Sequence, residues 1–215
     1  MTKTIFWDFD GVIIDSMAVR DIGFDLIAKQ ATNSQKIVDE FITYHRYNAG
    51  LSRFVKIKYL YEEMLHSTIT QQRIDELANE FSILMKEKLV DEKYLISQTV
   101  EFIEKNYQDY NFHIVSGSEE KELNFLCKEL GLSKYFKTIE GSPTHKNDLV
   151  KDILEKYNYS SKESILIGDS MTDYNAARVN GIKFYGFNNK NLKELSFYYI
   201  NSFKGLEITI MKRTS

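Results

Sequence analysis

The chain has 215 residues, of which 28 are basic and 31 are acidic, so its formal net charge is −3 at pH 7. A chain of this length forms one domain, or one domain with an insertion, and its core needs no disulfide or structural metal. Cys127 is the only cysteine, which excludes an intramolecular disulfide and a cysteine-rich zinc site. The nearly balanced charge gives no electrostatic reason to expect nucleic-acid binding.

The N-terminal sequence does not read as a targeting segment. Asp8, Asp10 and Asp15 interrupt the stretch that a secretory signal would need to be apolar. No run approaches the roughly 18 apolar residues that a membrane span requires. We therefore expect a cytoplasmic protein that does not bind membranes.

Four short apolar runs predict strands that are buried on both faces of a parallel sheet. In chain order they are Thr4–Asp8, Phe112–Val115, Ile165–Ile167 and Ile182–Tyr185. Stripes of apolar residues with helical spacing lie between the later runs, and include Val100/Ile103, Leu123/Leu126/Leu130 and Leu149/Ile153/Leu154. Alternating strands and helices predict an α/β fold, a Rossmann-like parallel sheet flanked by helices.

The stretch from Ser16 to Val90 shows only helical periodicity. Its stripes are Val19/Ile22/Leu26, Ile37/Phe41, Phe54/Ile57/Tyr61/Met64 and Ile74/Leu77/Ala78/Phe81/Leu84/Met85. About 70 residues between two parallel strands is far more than one crossover helix uses. We therefore predict an inserted all-helical cap domain of four helices at residues 16–90, and an α/β core formed by residues 1–15 and 91–215. The alternative is that these helices simply cover the sheet.

Two carboxylates directly follow the first predicted strand, in the sequence Asp8-Phe9-Asp10-Gly11. In open α/β sheets, ligands bind beyond the carboxyl ends of the strands. One carboxylate could attack an electrophile while the other transfers a proton. Gly11 permits the sharp exit from the strand that this placement needs. The alternative is a solvated acidic turn.

A second acidic pair follows the predicted strand at Ile165–Ile167. Asp169 comes after Gly168, and Asp173 lies about one helical turn further on. Four aspartates gathered at one sheet edge repel each other and favour a bound cation, and carboxylate oxygens with a substrate phosphate suit Mg²⁺. The alternative is that Asp169 and Asp173 cap the following helix.

Two weaker signals complete the pattern. Ser116-Gly117-Ser118 follows another predicted strand, and predicts a helix N-terminus whose free N–H groups hold a phosphate oxygen. A simple helix cap is the alternative there. Lys146 would normally be a solvated surface residue, and gains weight only from its place in chain order, between Ser116 and Asp169. His113 and Cys127 are interpreted as structural residues of the core.

Together these segments resemble the haloacid dehalogenase (HAD) superfamily. DFDGVIID is similar to the first motif of that superfamily, IVSGS to the second, Lys146 to the third and IGDSMTD to the fourth, in the same order. The helical insertion after the first motif resembles a cap of the first type, as in phosphoglycolate phosphatase and β-phosphoglucomutase-like members. One departure is Asn147, which stands where many members have proline.

The resemblance implies a role for each motif. Asp8 would attack phosphorus to form an aspartyl-phosphate, and Asp10 would protonate the leaving oxygen and then activate water. Ser116 would bind a phosphoryl oxygen, and Lys146 would neutralise the charge on it. Phosphoryl transfer needs this kind of positioning and charge compensation.

The resemblance also implies ligands for metal and substrate. Mg²⁺ would bind the Asp8 carboxylate, the Asp10 backbone carbonyl and Asp169. Asp173 would lie next to these ligands without binding the metal itself. The residues expected to contact substrate are Gly11, Ser116, Gly117 and Lys146 in the core, and Arg53 and Lys56 in the cap.

The cap residues come from a loop that is similar to one in β-phosphoglucomutase-like members, where Gly-x-Ser-Arg contacts substrate. Here it is Gly50-Leu51-Ser52-Arg53, followed by Lys56. Arg53 and Lys56 lie three residues apart and would share a helix face. The alternative is a helix N-terminus with solvated basic residues.

These expectations favour a Mg²⁺-dependent phosphatase that hydrolyses a small phosphorylated metabolite, as a monomer or weak homodimer. A phosphohexomutase is the nearest alternative, although mutase-like members usually carry histidine near the position of Arg20. A phospho-accepting regulatory module is the alternative of another class, but such modules are shorter and lack a cap. Dehalogenases lack the second aspartate of the first motif, and Asp10 is present.

Overall fold

The computed structural model describes residues 3–206, so residues 1–2 and 207–215 of the predicted core lie outside the described residues. Its centre is a six-stranded sheet in the order β3-β2-β1-β4-β5-β6, and every neighbouring pair is parallel. The strands are β1 Thr4–Trp7, β2 Asn111–Glu119, β3 Thr138–Ser142, β4 Ser164–Gly168, β5 Lys183–Phe187 and β6 Tyr198–Ile200. The four predicted strands are confirmed, and β3 and β6 are additions that the sequence did not predict.

Eight α-helices occur among residues 3–206. They are α1 Met17–Ala31, α2 Gln35–Tyr47, α3 Arg53–Tyr59, α4 Gln71–Lys88, α5 Ser97–Asn106, α6 Glu120–Glu129, α7 Lys146–Lys156 and α8 Met171–Val179. The chain passes from α3 directly into a π-helical turn at Leu60–Met64. No helix of this described part combines the length and apolar character that crossing a membrane would demand.

The sheet is buried on both faces, as the continuous apolar runs predict. Along β1, Ile5 and Trp7 pack into one apolar cluster and Phe6 into the other. Strand order reverses at β1, which lies between β2 and β4. The carboxyl ends of these three strands therefore meet at the position where α/β sheets bind ligands.

Helices α1 to α4 follow β1, and the chain between Met17 and Lys88 forms no strand in the described structure. The connections that enter and leave this segment run side by side. Ile96 N–H donates to the Ile13 carbonyl at 2.9 Å, and Asp15 N–H donates to the Tyr94 carbonyl at 2.7 Å. The proposed cap, residues 16–90, would need a hinge, and two connections that run side by side could form one.

The predicted apolar face of α1 is partly wrong. Val19 is buried, but Ile22 and Leu26 are 47% and 48% exposed. The buried face instead includes Arg20 and Gly23. A Cβ on Gly23 would lie 2.6 Å from the ring of Phe81 in α4, so glycine allows the two helices to approach closely. The α4 stripe is confirmed, since five of its six predicted residues are buried and Leu84 is half-buried.

Candidate active site

The predicted site residues converge at the carboxyl edge of the sheet, around a cavity of about 230 Å³. Its wall includes Asp8, Asp10, Gly11, Gly117 and Asp169 from the core, and Arg53 and Lys56 from the cap. The other three predicted residues, Ser116, Lys146 and Asp173, are buried. The structure therefore brings the four motifs and the cap loop together.

Lys146 holds Asp8 in place. Its Nζ donates to Asp8 Oδ1 at 2.8 Å and also to Asp173 Oδ1, and the Phe9 N–H donates to the same Asp8 oxygen at 2.8 Å. Burial, with the nearby charge of Asp173, raises the pKa of Asp8 to about 8 although Lys146 opposes this. Burial alone would lower the pKa of Lys146, but the two carboxylates outweigh it and raise that pKa. Lys146 is therefore a fixed positive charge beside Asp8.

Three carboxylates form a candidate metal site. Asp8, Asp169 and Asp173 each offer an oxygen within 4.8 Å of the others. Burial and then the charges of Asp8 and Asp173 raise the pKa of Asp169 well above its ordinary value. A buried, mutually repelling set of hard oxygen donors fits Mg²⁺.

Gly11 is required at this site because its φ is +75° and a Cβ there would lie 2.0 Å from Asp169 Oδ2. Asp173 also performs the alternative role considered from the sequence, since its Oδ2 accepts from the Ser170 N–H at 3.0 Å in a capping box that begins α8.

Asp10 points away from the acidic trio and is held by three donors. Its Oδ1 accepts from Ser16 Oγ at 2.5 Å and from Arg20 Nε at 2.6 Å, and its Oδ2 accepts from Ser118 Oγ at 2.6 Å. Burial alone would raise the pKa of Asp10, but Arg20 and these hydrogen bonds outweigh it and lower the pKa. Ser118 and Arg20 are contacts that sequence reasoning did not assign.

The helix N-terminus predicted directly after Ser116 is wrong. β2 continues to Glu119, because Glu119 pairs with Ser142 of β3 after an irregularity in register, and α6 begins only at Glu120. Ser116 is buried, and its Oγ accepts from the Ser118 N–H at 3.1 Å. A phosphate oxygen at this position would therefore meet the end of β2 rather than the end of a helix.

The start of α7 is intact although Asn147 stands in place of proline. Lys146 is the first residue of that helix, and the His145 ring accepts from the Asn147 N–H at 3.2 Å as the cap. His145 itself is exposed. The helix therefore positions Lys146 without help from proline.

Arg53 and Lys56 are not solvated, since only 3% and 2% of their surfaces are exposed. Arg53 Nη1 donates to Glu122 Oε2 of α6 at 2.5 Å and to Ser82 Oγ of α4 at 2.7 Å. Glu122 Oε1 also pairs with Arg20 Nη1 at 3.3 Å, and Glu122 is fully buried. A continuous chain of ion pairs, Asp10–Arg20–Glu122–Arg53, thus joins α1 and α3 to α6. Sequence reasoning did not find Glu122, because no local pattern indicates its burial.

Lys56 is held by residues of α1, of α2 and of the loop that follows α2. Its Nζ lies 3.0 Å from His45 Nδ1, 3.2 Å from the Ala49 carbonyl oxygen and 5.2 Å from the centre of the Phe24 ring. Burial, followed by the positive charge of Arg20, lowers the pKa of Lys56 to about 7. Burial and then Lys56 also lower the pKa of His45 far below its ordinary value, so His45 is neutral and its Nδ1 accepts.

Two glycines allow the loop between α2 and α3 to lie directly against β2 and α8. A Cβ on Gly117 would lie 2.4 Å from the Gly50 carbonyl oxygen, and a Cβ on Gly50 would lie 1.8 Å from Thr172 Oγ1. Any side chain at either position would push these loops apart. The loop at Gly50 therefore lies directly against Gly117 on the wall of the cavity.

Comparison with known proteins places this geometry in a family. A family model described as haloacid dehalogenase-like hydrolase matches residues 5–187. No protein with a curated description matches the chain.

Solved structures share the fold over nearly the whole chain. β-Phosphoglucomutase of Clostridium difficile has a TM-score of 0.80 at 15% identity, with 100% of this chain and 97% of that chain covered. A predicted phosphoglycolate phosphatase of Haemophilus somnus 129pt has a TM-score of 0.72 at 17% identity, with 97% and 98% covered. The HAD hydrolase YfnB of Bacillus subtilis, described as bound to magnesium and as revealing interdomain movement, has a TM-score of 0.72 at 17% identity, with 98% and 99% covered. At these identities the likeness shows the shared fold.

Proposed function

Because the chain belongs to the haloacid dehalogenase-like hydrolase family, we propose that it is a Mg²⁺-dependent phosphatase that hydrolyses a small phosphate ester through phosphorylated Asp8. The observation that carries this proposal is the placement of Lys146 between Asp8 and Asp173, with Asp169 beside them. That arrangement offers a nucleophile, a fixed positive charge and a set of hard oxygen ligands in mutual contact at the edge of the cavity.

The proposed reaction has two balanced steps. In the first, an Asp8 oxygen forms a bond to phosphorus, the bond from phosphorus to the ester oxygen breaks, and the leaving oxygen takes a proton from Asp10. In the second, a water oxygen forms a bond to phosphorus and gives one proton to Asp10, while the bond from Asp8 to phosphorus breaks. One water is consumed, and both aspartates return to their starting states.

The surrounding residues stabilise and position the reacting groups. Both hydrogen bonds to Asp8 among the described residues reach its Oδ1, so Oδ2 is the oxygen expected to attack phosphorus. Lys146 compensates negative charge on the phosphoryl group, and Ser116 and Gly117 bind its oxygens. Mg²⁺, held by Asp8, the Asp10 carbonyl and Asp169, would supply further charge compensation.

Asp10 is tuned for the second step more than for the first. Arg20 and the hydroxyls of Ser16 and Ser118 favour its carboxylate form, which is the form that accepts a proton from water. The first step needs the protonated form. We therefore expect formation of the phosphorylated chain to be the slower step for esters whose leaving oxygen needs a proton.

We propose that residues 16–90 act as a cap that opens to admit substrate and closes to exclude water. The paired connections near Ile13 and Ile96 would form the hinge, and the contact of Gly50 with Gly117 would mark the closed position. Interdomain movement is described for the Bacillus subtilis neighbour, which supports this proposal.

A phosphatase is preferred over the alternatives because of one contact. Arg20, which stands near the position where mutase-like members usually carry histidine, is bound to Asp10 at 2.6 Å. A phospho-accepting regulatory module would have no need of a second aspartate held beside the nucleophile.

Phosphate release from an aryl phosphate in the presence of Mg²⁺ tests the proposal. We expect many turnovers per chain, and loss of at least three orders of magnitude in Asp8→Asn, each tenfold being about 1.4 kcal/mol. Asp152→Asn, an exposed carboxylate on α7, is the matched control and should keep its activity.

The alternatives predict different products. One phosphoryl group per chain without turnover would indicate a regulatory module. Conversion of a hexose 1-phosphate into the 6-phosphate without free phosphate would indicate a mutase. Activity of Asp8→Asn above about a tenth of wild type would overturn the assignment of the nucleophile.

A further inference from the structure

Three cations, Arg20, Arg53 and Lys56, line the wall of the cavity. Two of them have carboxylate partners, which are Asp10 and Glu122. Arg20 pairs with both carboxylates, and Arg53 pairs with Glu122. Within residues 3–206, Lys56 has no carboxylate at ion-pair distance: the contacts of its Nζ are with a neutral ring, a carbonyl and an aromatic face. The uncompensated charge therefore belongs to Lys56.

Lys56 also has a donor to spare. An ammonium group carries three N–H donors, and His45 and Ala49 accept two of them. Arg20 Nη2, on the same cavity wall, is likewise buried without a partner among the described residues. Buried donors without acceptors are costly, so an anion that enters the cavity gains both a counter-charge and hydrogen bonds.

We infer that Lys56 forms a subsite for a substrate carboxylate, so that the substrate is the phosphate ester of a small hydroxy acid. This inference rests on the proposed phosphatase function, which places the phosphate end of the substrate at Asp8 and Lys146. It also changes the role expected for Arg53, because Glu122 already neutralises that guanidinium and holds it against Phe81.

The charge balance favours a carboxylate over a second phosphate. A carboxylate carries one negative charge, which matches the single uncompensated cation. A phosphate monoester carries close to two at neutral pH, and the second would remain buried without a partner. Burial, followed by the positive charge of Arg20, lowers the pKa of Lys56 to about 7, and an anion bound in the cavity would favour the charged form.

Matched substrate pairs test the subsite. Phosphoglycolate and hydroxyethyl phosphate differ only by a carboxylate in place of a hydroxymethyl group, as do phosphoglycerate and glycerol phosphate. With Mg²⁺, we expect wild type to prefer the carboxylate in at least one pair by tenfold or more in kcat/KM. A bisphosphate of glycerol should be no better than glycerol phosphate.

Two variants test whether Lys56 causes the preference for a carboxylate. Lys56→Met should reduce the tenfold preference to about threefold or less. Lys58→Met removes an exposed lysine of the same helix, whose ammonium lies 3.8 Å from Glu62, and should keep the preference.

Several outcomes would overturn the inference: equal rates within both pairs, a preference for the bisphosphate, or a carboxylate preference that survives in Lys56→Met. If Lys56→Met does not fold, the comparison of matched substrates with the wild-type protein still tests the inference. Failure to hydrolyse any ester, the aryl phosphate included, would instead contradict the proposed function itself.

Discussion

Removal of the Glu122 carboxylate should strongly destabilise the protein. Glu122 lies in α6 of the core, is fully buried, and pairs with Arg53 at 2.5 Å and with Arg20 at 3.3 Å. In Glu122→Ala, Arg20 keeps Asp10 as a partner. Arg53 keeps only the Ser82 hydroxyl and the face of the Phe81 ring. A buried guanidinium is thus left without a counter-charge.

The size of the effect follows from that burial. Removing one partner of a buried ion pair costs about 3–5 kcal/mol, because the remaining charge stays desolvated. The Phe81 ring offsets a small part of this through a cation–π contact. We therefore expect Glu122→Ala to lower the free energy of unfolding by about 3 kcal/mol or more, a large share of the roughly 5–15 kcal/mol that typical domains have.

Urea unfolding of the metal-free protein measures this loss. Glu129→Ala, an exposed carboxylate on the same helix, is the control and should change the free energy of unfolding by no more than about 0.5 kcal/mol. The double variant Glu122→Leu with Arg53→Met should lose less than Glu122→Ala alone, since no charge is then left unpaired. A loss below about 1 kcal/mol in Glu122→Ala would show that the core and cap do not make this contact in solution.

Three further outcomes are expected. Chelation should abolish activity and Mg²⁺ should restore it. Asp169→Ala should raise the Mg²⁺ concentration for half-maximal activity at least about tenfold, and an unchanged concentration would contradict Asp169 as a ligand. The pKa of Asp8 rises from 3.8 to about 8 on folding, so metal-free wild type should lose stability as pH rises through that range. Asp8→Asn lacks this loss, and its advantage in Tm should widen from about pH 5 to about pH 8; a constant difference would argue against the raised pKa. Gly117→Ala should fold but have a lower kcat/KM, because its Cβ would meet the Gly50 carbonyl. Gly131→Ala is the control: its Cβ would have no atom within 4 Å, but its φ is +68°, so it should lose about 1 kcal/mol of stability and keep its activity.

The sequence predicts those parts of the fold that depend on local pattern. β1, β2, β4 and β5 are continuous apolar runs, and each was located to within a few residues. β3 was missed because Thr138–Ser142 contains one large apolar residue and is only half-buried over its first three positions. β6 was missed because three residues at a sheet edge carry too little periodicity to be distinguished from a loop.

The site residues also differ in whether a local sequence pattern predicts them. Asp8 and Asp169 follow buried strands, so their convergence can be predicted from chain order and sheet topology alone. Glu122 has no local signal, because its burial depends on Arg20 and Arg53, which lie 102 and 69 residues away. The same long-range contact turns Arg20 inward on α1. The predicted apolar stripe of α1 assumes that charged residues face solvent. It therefore includes Ile22 and Leu26, which are about half-exposed, and leaves out Arg20.

Detection of phosphorylated Asp8 tests the proposed reaction most directly. The protein would be mixed with Mg²⁺ and an aryl phosphate, quenched in acid during turnover, and digested for mass spectrometry. We predict that the peptide containing Asp8 gains one phosphoryl group and that Asp8→Asn never gains it. Asp10→Asn should accumulate it, because an aryl oxide is a good leaving group that needs no proton from Asp10, whereas water is no longer activated. A phosphoryl group on another residue, or turnover by Asp8→Asn without a phosphorylated chain, would contradict the proposed mechanism.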